Sequence, residues 1–474
     1  MPGERPSTLS MAWTLEEIVS ATGGKVEGRP KASRFDEIVT DSSKVKTGSI
    51  FVALKGERFD GHCFVKDAIN RGAGCLVVHE ALRAADLRSV TAVKVSDTLR
   101  ALGDLAHFRT EQYAPKVLAI TGSNGKTTTK EMLAAILQRA SLNRRPLKGR
   151  VLKTQGNFNN LVGLPLTLLR LRKRHRVVIV EMGTNRPGEI ERLAEIAAPD
   201  VAIITSVAPA HLEGLNSLAG VAKEKGALFS GMRAGGTIVV NLDDPWVRRL
   251  GQKFGGKKVT YGEGGQIRAA SGSLLDSGAM RFTLRAGHQR AQVRLNFVGH
   301  HNIANALGAA AVAYSLGISL PTIRRGLESV KPYSMRMQLE KWRGIGIIND
   351  AYNANPASMI AAIKTLAQFN SRGERIAVLG DMFELGKQSQ REHLRLGSHL
   401  AQAGLDRAYL LGERAPDVRK GALRAGMKSD QVIVGESHSD IGQRLRAHLK
   451  KGDWLLIKGS RGMKMETVLS ELKG

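Results

Sequence analysis

The sequence predicts a three-domain α/β protein: a small N-terminal α/β domain, a central parallel-sheet domain built around a P-loop, and a second doubly wound α/β domain at the C-terminal end. Three observations predict it. The chain has 474 residues, and at roughly 150 residues per domain that allows about three. Short β-branched runs alternate with helical stretches in two separate parts of the chain, the pattern of a parallel sheet covered on both faces. One glycine-rich loop lies between such a run and a helix.

Taken in order, residues 1–10 (MPGERPSTLS) are polar and proline-bearing, with no apolar core, and read as a loose tail rather than a secretory signal. Met11 opens the first patterned segment and is a candidate start. A short helix from Thr14 to Thr22 is stopped by Gly23-Gly24. Strand-like runs follow at Ser49 (SIFVAL) and Gly74 (GCLVVH), separated by the helically spaced KDAINRGA. This first domain spans 11–114. The second, 115–331, begins with KVLAIT, the glycine loop and the helix former KTTTKEMLAAILQRA. Buried-strand candidates start at Arg176, Asp200 and Gly236, and residues 255–297 alternate as antiparallel hairpins do. The helical NIANALGAAAVAYSLG closes the domain. In the third, 332–474, GIGIIND, RIAVLGD, RAYLLG and DWLLIKG alternate with helices, without a phosphate loop of their own.

Aromatic residues are only 5% of the chain, so aliphatic side chains must fill the cores. Lys and Arg exceed Asp and Glu by 71 to 43, a net charge of +28. That excess suits nucleic acid, an anionic membrane, or phosphorylated and carboxylated small molecules. The basic residues are scattered, which argues against a nucleic-acid partner. No apolar run is long enough to cross a bilayer, so no membrane insertion is expected. Two cysteines in apolar surroundings, Cys63 and Cys75, point to free, buried thiols in a reducing, cytoplasmic compartment.

The sharpest feature is Thr121 to Thr129, TGSNGKTTT. Gly122, Ser123, Asn124 and Gly125 can turn backbone N–H groups toward phosphate oxygens at a helix N-terminus. Lys126 would reach the β- and γ-phosphates, Thr127 would hold Mg²⁺, and Thr128 continues the cradle. This is a short GxxGKT form, since Ile120 stands where the longer motif has its first glycine. Glu181 ends a predicted strand, where an open parallel sheet binds ligands, and suits a metal; alone it would read as a solvated strand end. His211, one loop past another strand, suits a second metal, or is merely exposed. In NLDD, Asp243 or Asp244 would bond a ribose hydroxyl or cap a turn. Thr154, Asn157, Asn159 and Asn160 lie in an amide-rich loop fit for a substrate or for Asx turns.

These motifs, with APAHLEGL, GVAKEKGALF, GHHNIANALGAAA, INDAYNANPASM, VLGDMFELG and IKGSRGMKME, resemble the Mur ligase family from about Met11 to the end. DAYNANP, GDMFELG and ERFDGHCF are similar to the branch that adds D-alanyl-D-alanine. The resemblance implies a UDP-substrate domain, an ATPase domain and a C-terminal Rossmann-like domain. It also implies ATP, two Mg²⁺ ions, an acyl phosphate, and the partners UDP-N-acetylmuramoyl-tripeptide and D-alanyl-D-alanine, in a monomer. Carried over by motif, Lys126, Thr127 and Glu181 hold phosphates and the first metal, and His211 belongs to the second. Lys225 in AKEKG matches a lysine that the family carbamylates, with Lys223 its neighbour. Asn302 and Asn305 match adenine contacts, and Arg336 matches an arginine that closes onto the γ-phosphate. Asp350, Tyr352, Asn353 and Asn355 fall on the dipeptide side. Thr40, Asp41, Ser42, Lys55, Asp60 and His62 match UDP-sugar loops. Ser43 departs from the arginine of many members, and Lys44 is a candidate substitute. The rival readings are another amide ligase of the superfamily, such as a folylpolyglutamate synthase, and a basic ATP-binding nucleic-acid protein.

Overall fold

The computed structural model describes residues 12–56, 59–275, 277–369 and 372–474; the expected tail and Met11 lie outside the described residues. Three sheets organise the chain. The first has five strands in the order Lys25–Glu27, Thr91–Lys94, Cys75–Val78, Ile50–Val52 and Ile38–Val39, parallel except for the first pair. Ile50, Val52, Cys75, Val77 and Val93 on one face pack against Ala101, Leu102 and Leu105 of the helix Thr98–Tyr113. The early helix, Leu15–Thr22, stops at Gly23, φ 63°, as its sequence predicts; Thr14, expected as its first residue, is instead its cap, in a capping box with Glu17.

The second sheet has nine strands: Val151–Lys153, Val177–Glu181, Lys116–Thr121, Val201–Ile204, Thr237–Asn241, Lys257–Tyr261, Ile267–Leu274, Met280–Ala286 and Gln289–Leu295. The first seven run parallel and the last two antiparallel. The parallel part is longer than the sequence predicts. Lys257–Tyr261 pairs in parallel register with Thr237–Asn241, although its alternation suggested a hairpin. Its two lysines are solvent-exposed while Val259 and Tyr261 are buried, so one-sided burial mimics an antiparallel pattern. The chain leaves the central Lys116–Thr121 strand to build the sheet on both sides of it, which opens a crevice at the strand's C-terminal end.

The third sheet has six strands, Gln338–Trp342, Ile345–Asp350, Trp454–Lys458, Arg375–Gly380, Arg407–Leu411 and Val432–Val434, parallel after the first pair. Asp350 and Lys458 end neighbouring strands, on the edge that faces the central crevice. No helix among the described residues is long and apolar enough to cross a membrane.

Candidate active site

The crevice is a cavity of about 690 Å³ lined by residues of the central and third sheets. Its floor is the loop between the Lys116–Thr121 strand and the helix Lys126–Leu137. That loop is stapled to the next strand end. Ser123 N–H donates to Ser206 O (2.8 Å), Ser123 Oγ to Ala208 O (2.9 Å) and Asn124 N–H to Ser206 Oγ (3.1 Å). Both loop glycines are required by space. A Cβ on Gly122 would lie 1.9 Å from Thr205 Oγ1, and one on Gly125 (φ 81°) would lie 2.1 Å from Asn305 Oδ1. Lys126 Nζ folds back onto Gly122 O at 2.7 Å. Enclosure by protein pulls its pKa down, the Arg336 guanidinium adds to this, and Glu181 opposes it.

Glu181 is the centre of a buried polar knot. Its Oε1 accepts from Thr127 Oγ1 (3.2 Å) and Asn159 Nδ2 (3.0 Å), and its backbone N–H donates to Thr154 Oγ1 (3.0 Å). Its Oε2 is buried without a hydrogen bond, 3.3 Å from Lys130 Nζ. Burial alone would raise this carboxyl, but Lys130, Lys126, the Asn159 amide and Arg336 together hold it below the ordinary value. A buried, ionised oxygen lacking a hydrogen-bond donor, beside a hydroxyl, fits a hard divalent cation such as Mg²⁺. Thr154 is wholly buried and braces the strand, and Asn157, Asn159 and Thr128 reach the cavity wall.

His211 also lines the cavity, its Nδ1 2.5 Å from Oε2 of Glu384 in the third domain's GDMFELG loop. That contact holds the Glu384 carboxyl below its ordinary range. Of the two lysines in AKEKG, Lys223 is exposed and Lys225 is buried. Burial, reinforced by Lys126, pulls the Lys225 amine from 10.5 to about 7.

Asn302 and Asn305 stand one turn apart on the helix His300–Ser315, where Asn305 Nδ2 donates to Asn302 Oδ1 (3.0 Å). Asp243 is exposed and off the cavity wall, and its Oδ1 accepts the Glu263 N–H. Asn241 and Asp244 line the cavity instead; Asp244 caps the helix Pro245–Lys253 and accepts the Val207 N–H.

From the other side, Arg336 Nη2 donates to Thr127 Oγ1 (3.2 Å), with its guanidinium 4.0 Å from the Tyr352 ring centre. Asn355 caps the helix Pro356–Ala367 and donates to Asn124 Oδ1 (2.8 Å). Asp350 Oδ2 and Asn353 O both take the Lys458 Nζ, at 2.6 and 2.8 Å. Lys458 and Lys130 were missed in the sequence, although both lie inside the motifs IKGSRG and KTTTKE; only their burial distinguishes them from solvated lysines.

Thr40, Asp41, Ser42, Lys55, Asp60 and His62 do not reach this cavity. They cluster at the C-terminal edge of the first sheet. There, Lys55 pairs with Asp60 (3.5 Å) and Glu80 (3.4 Å). His62 puts Nδ1 2.7 Å from Asp60 and accepts the His79 N–H on Nε2 (3.2 Å). The His62 backbone N–H and ring hold Asp60 near a pKa of about 2. Lys44 pairs with Asp41 at 3.3 Å beside the departing Ser43.

Parallel sheets meeting over a strand–loop–helix phosphate cradle, with a carboxylate and hydroxyl set for a cation, define a nucleotide-dependent enzyme of the P-loop ligase class. Family models described as Mur ligase family, catalytic domain; Mur ligase middle domain; and Mur ligase, glutamate ligase domain match residues 34–110, 120–313 and 335–461. The chain belongs to the Mur ligase family. It is 36% identical over 469 residues (97% of this chain, 98% of the relative) to UDP-N-acetylmuramoyl-tripeptide–D-alanyl-D-alanine ligase of Escherichia coli K12. Among solved structures it is similar to MurF from Acinetobacter baumannii, with a TM-score of 0.89, 34% identity and coverage of 98% and 99% of the two chains. It is also similar to the MurF ligase of Thermotoga maritima in complex with ADP, with a TM-score of 0.82, 29% identity and coverage of 92% and 97%.

Proposed function

We propose that this enzyme joins D-alanyl-D-alanine to UDP-N-acetylmuramoyl-tripeptide with hydrolysis of ATP to ADP and phosphate, yielding the UDP-muramoyl-pentapeptide precursor of peptidoglycan. One observation carries the reading: Thr127 Oγ1, at the phosphate loop, is shared by Glu181 of the central sheet and Arg336 from the third domain. A nucleotide cradle and an arginine of the domain that carries the dipeptide-side residues therefore meet at one atom, as coupling phosphoryl transfer to amide formation requires.

In this scheme an oxygen of the tripeptide's terminal carboxylate attacks the γ-phosphorus and ADP leaves, giving an acyl phosphate. Lys126 and Arg336 offset the charge on the transferring group. The neutral amine of D-alanyl-D-alanine then attacks the acyl carbon, and the tetrahedral adduct collapses to amide and inorganic phosphate. Asp350 and Asn353, held by Lys458, and Tyr352 and Asn355 frame the dipeptide side; Asn302 and Asn305 flank the adenine. Thr127, Glu181, His211 and a carbamylated Lys225 would hold two Mg²⁺ ions, which supply Lewis-acid charge neutralisation when bound. An amine near neutral pKa is in part unprotonated at pH 7 and can add CO₂, releasing one proton and becoming an anion. The remote loops around Lys55, Asp60 and His62 take the UDP-sugar, so one substrate spans two domains. Cys75 is buried, but Cys63, expected to be buried too, is exposed; both are free, in keeping with a reducing cytoplasm, and we take the active unit to be the monomer.

The test is phosphate release from ATP with UDP-linked tripeptide, with and without D-alanyl-D-alanine, and with single amino acids in its place. Release that depends on the dipeptide supports the reading. Release driven by glutamate, as a folylpolyglutamate synthase would show, overturns it.

A further inference from the structure

The three antiparallel strands at the far edge of the central sheet are not used by the chemistry above, and their outer face is unusual. Side chains alternate along a strand, and one face here is core: Met280, Phe282, Leu284, Ala286, Val293 and Leu295 are buried with Ala306, Leu307 and Ala310 of the helix His300–Ser315. The opposite face carries Arg268, Arg281, Arg285, Arg290 and Arg294. The register sets Arg281 directly against Arg294, and Arg285 directly against both Arg290 and Arg268. Like charges placed face to face destabilise a sheet. Among the described residues no carboxylate compensates: none of these five guanidiniums forms an ion pair, and the nearby Glu328 carboxylate takes the Arg294 backbone N–H (3.4 Å) and the Arg324 side chain (3.1 Å). Blunting an edge against aggregation needs charge, but not charge of one sign opposed across three strands.

We propose that this face docks the enzyme peripherally on an anionic lipid surface. Strands about 4.8 Å apart, with arginine rows four residues distant, spread the guanidiniums over roughly 10 by 14 Å, a flat array suited to a plane of phosphate headgroups. Between the rows lie Ala270, Thr283 and Gln292, with no aromatic ring on which a base would stack, so single-stranded nucleic acid fits the face less well. The helix bearing Asn302 and Asn305 packs on the opposite side of these strands, and none of the five arginines lines the cavity. A share of the net charge of +28 thereby gains a role.

The experiment is co-sedimentation of the full chain with vesicles of phosphatidylglycerol and phosphatidylcholine, and with phosphatidylcholine alone. Binding is expected to the anionic vesicles only, weakening as salt shortens the screening length. Each arginine at a membrane surface contributes on the order of fivefold in partitioning. The variant R281Q/R285Q/R290Q/R294Q is therefore expected to lose about two to three orders of magnitude. A control of similar charge loss on another basic helix, R419Q/K420Q/R424Q, is expected to stay within about threefold of the parent. Both should keep the parent's phosphate release, and the first should melt no lower, since it relieves repulsion. Three results would each overturn the proposal: no vesicle binding by the parent at low salt, equal losses in both variants, or face-dependent capture of single-stranded RNA without vesicle binding.

Discussion

Lys130 Nζ lies 3.3 Å from Glu181 Oε2, and both side chains are buried. Lys130 is also 3.4 Å from Glu131, which in turn accepts from Lys153 at the end of the neighbouring strand. The phosphate-loop helix thus holds the candidate metal carboxylate ionised and in place through its own lysine. Breaking a buried pair from one side leaves an uncompensated charge, at about 3 kcal/mol or more. Lys130→Met is expected to destabilise the protein by about that amount in urea unfolding. The double variant K130M/E181Q should recover most of it without recovering activity. A Lys130→Met protein as stable as the parent would show that Lys126 and Arg336 suffice to hold Glu181.

Lys126 begins its helix and, among the described residues, its amine bonds only the loop carbonyl of Gly122. Alanine is a good helix former, so Lys126→Ala should leave the melting temperature unchanged or slightly raised, since a desolvated cation is removed. Phosphate release should fall by at least two to three orders of magnitude. Turnover near the parent rate would remove this loop from the chemistry.

Much of this site was legible because backbone chemistry writes itself into residue types. GSNGKTT needs glycines at Gly122 and Gly125, where Thr205 and Asn305 leave no room for a Cβ. Strand-end polar residues such as Glu181 and Asp350 stand out after apolar runs. What stayed hidden depends on burial and on long-range meeting. Lys130 and Lys458 look like any surface lysine until their carboxylates are placed beside them. Lys225 could not be separated from Lys223, two residues away on the same helix, without knowing which one turns inward. The His211–Glu384 contact joins residues 173 positions apart and leaves no local signature.

Lys225 offers a direct readout. Its amine is pulled from 10.5 to about 7 by burial and by Lys126. Between those values the unfolded chain binds the proton that the native state has lost, so stability should rise with pH across that window in CO₂-free buffer. Lys225→Met should flatten that rise. With ¹³C-labelled bicarbonate the parent should show a carbamate carbonyl resonance that Lys225→Met lacks. A short carboxylic acid should partly rescue the activity of Lys225→Ala, while bicarbonate should rescue it weakly or not at all. Full activity of Lys225→Ala without additive would exclude the carbamate.

His393 governs the loop that carries Glu384. It is buried, its Nε2 accepts the Met382 N–H at 3.0 Å, and its Nδ1 lies 2.7 Å from Ser389 O. Only the neutral ring with its proton on Nδ1 satisfies both. Burial lowers its pKa below 6.5, against the pull of the Ser389 carbonyl and Asp381. The stabilisation is therefore complete above pH 6.5 and is lost as the pH falls below it toward the lowered native value, because there the unfolded chain takes up the proton first. Thermal melts of the parent should fall with acid in that range. His393→Gln, which supplies one acceptor and one donor, should show a shallower fall; an unchanged slope would move the effect to another histidine.

Arg336 separates binding from closure. Its guanidinium lies 4.0 Å from the Tyr352 ring and donates to Thr127 across the domain boundary. A group that arrives from the third domain adds little to the first encounter with nucleotide and much to the transition state. Arg336→Ala is therefore expected to lower kcat by about a hundredfold or more with little change in the KM for ATP. Arg336→Lys should recover only part of this, since an ammonium lacks both the planar stack and the forked donors. Tyr352→Phe should keep the ring and nearly all of the rate, while Tyr352→Ala should lose a portion of it by freeing the arginine. Steady-state kinetics with calorimetric ADP binding would decide the matter. If Arg336→Ala weakens ADP binding as much as it slows turnover, the arginine belongs to the ground-state nucleotide site, and the two domains are already engaged before the substrates meet.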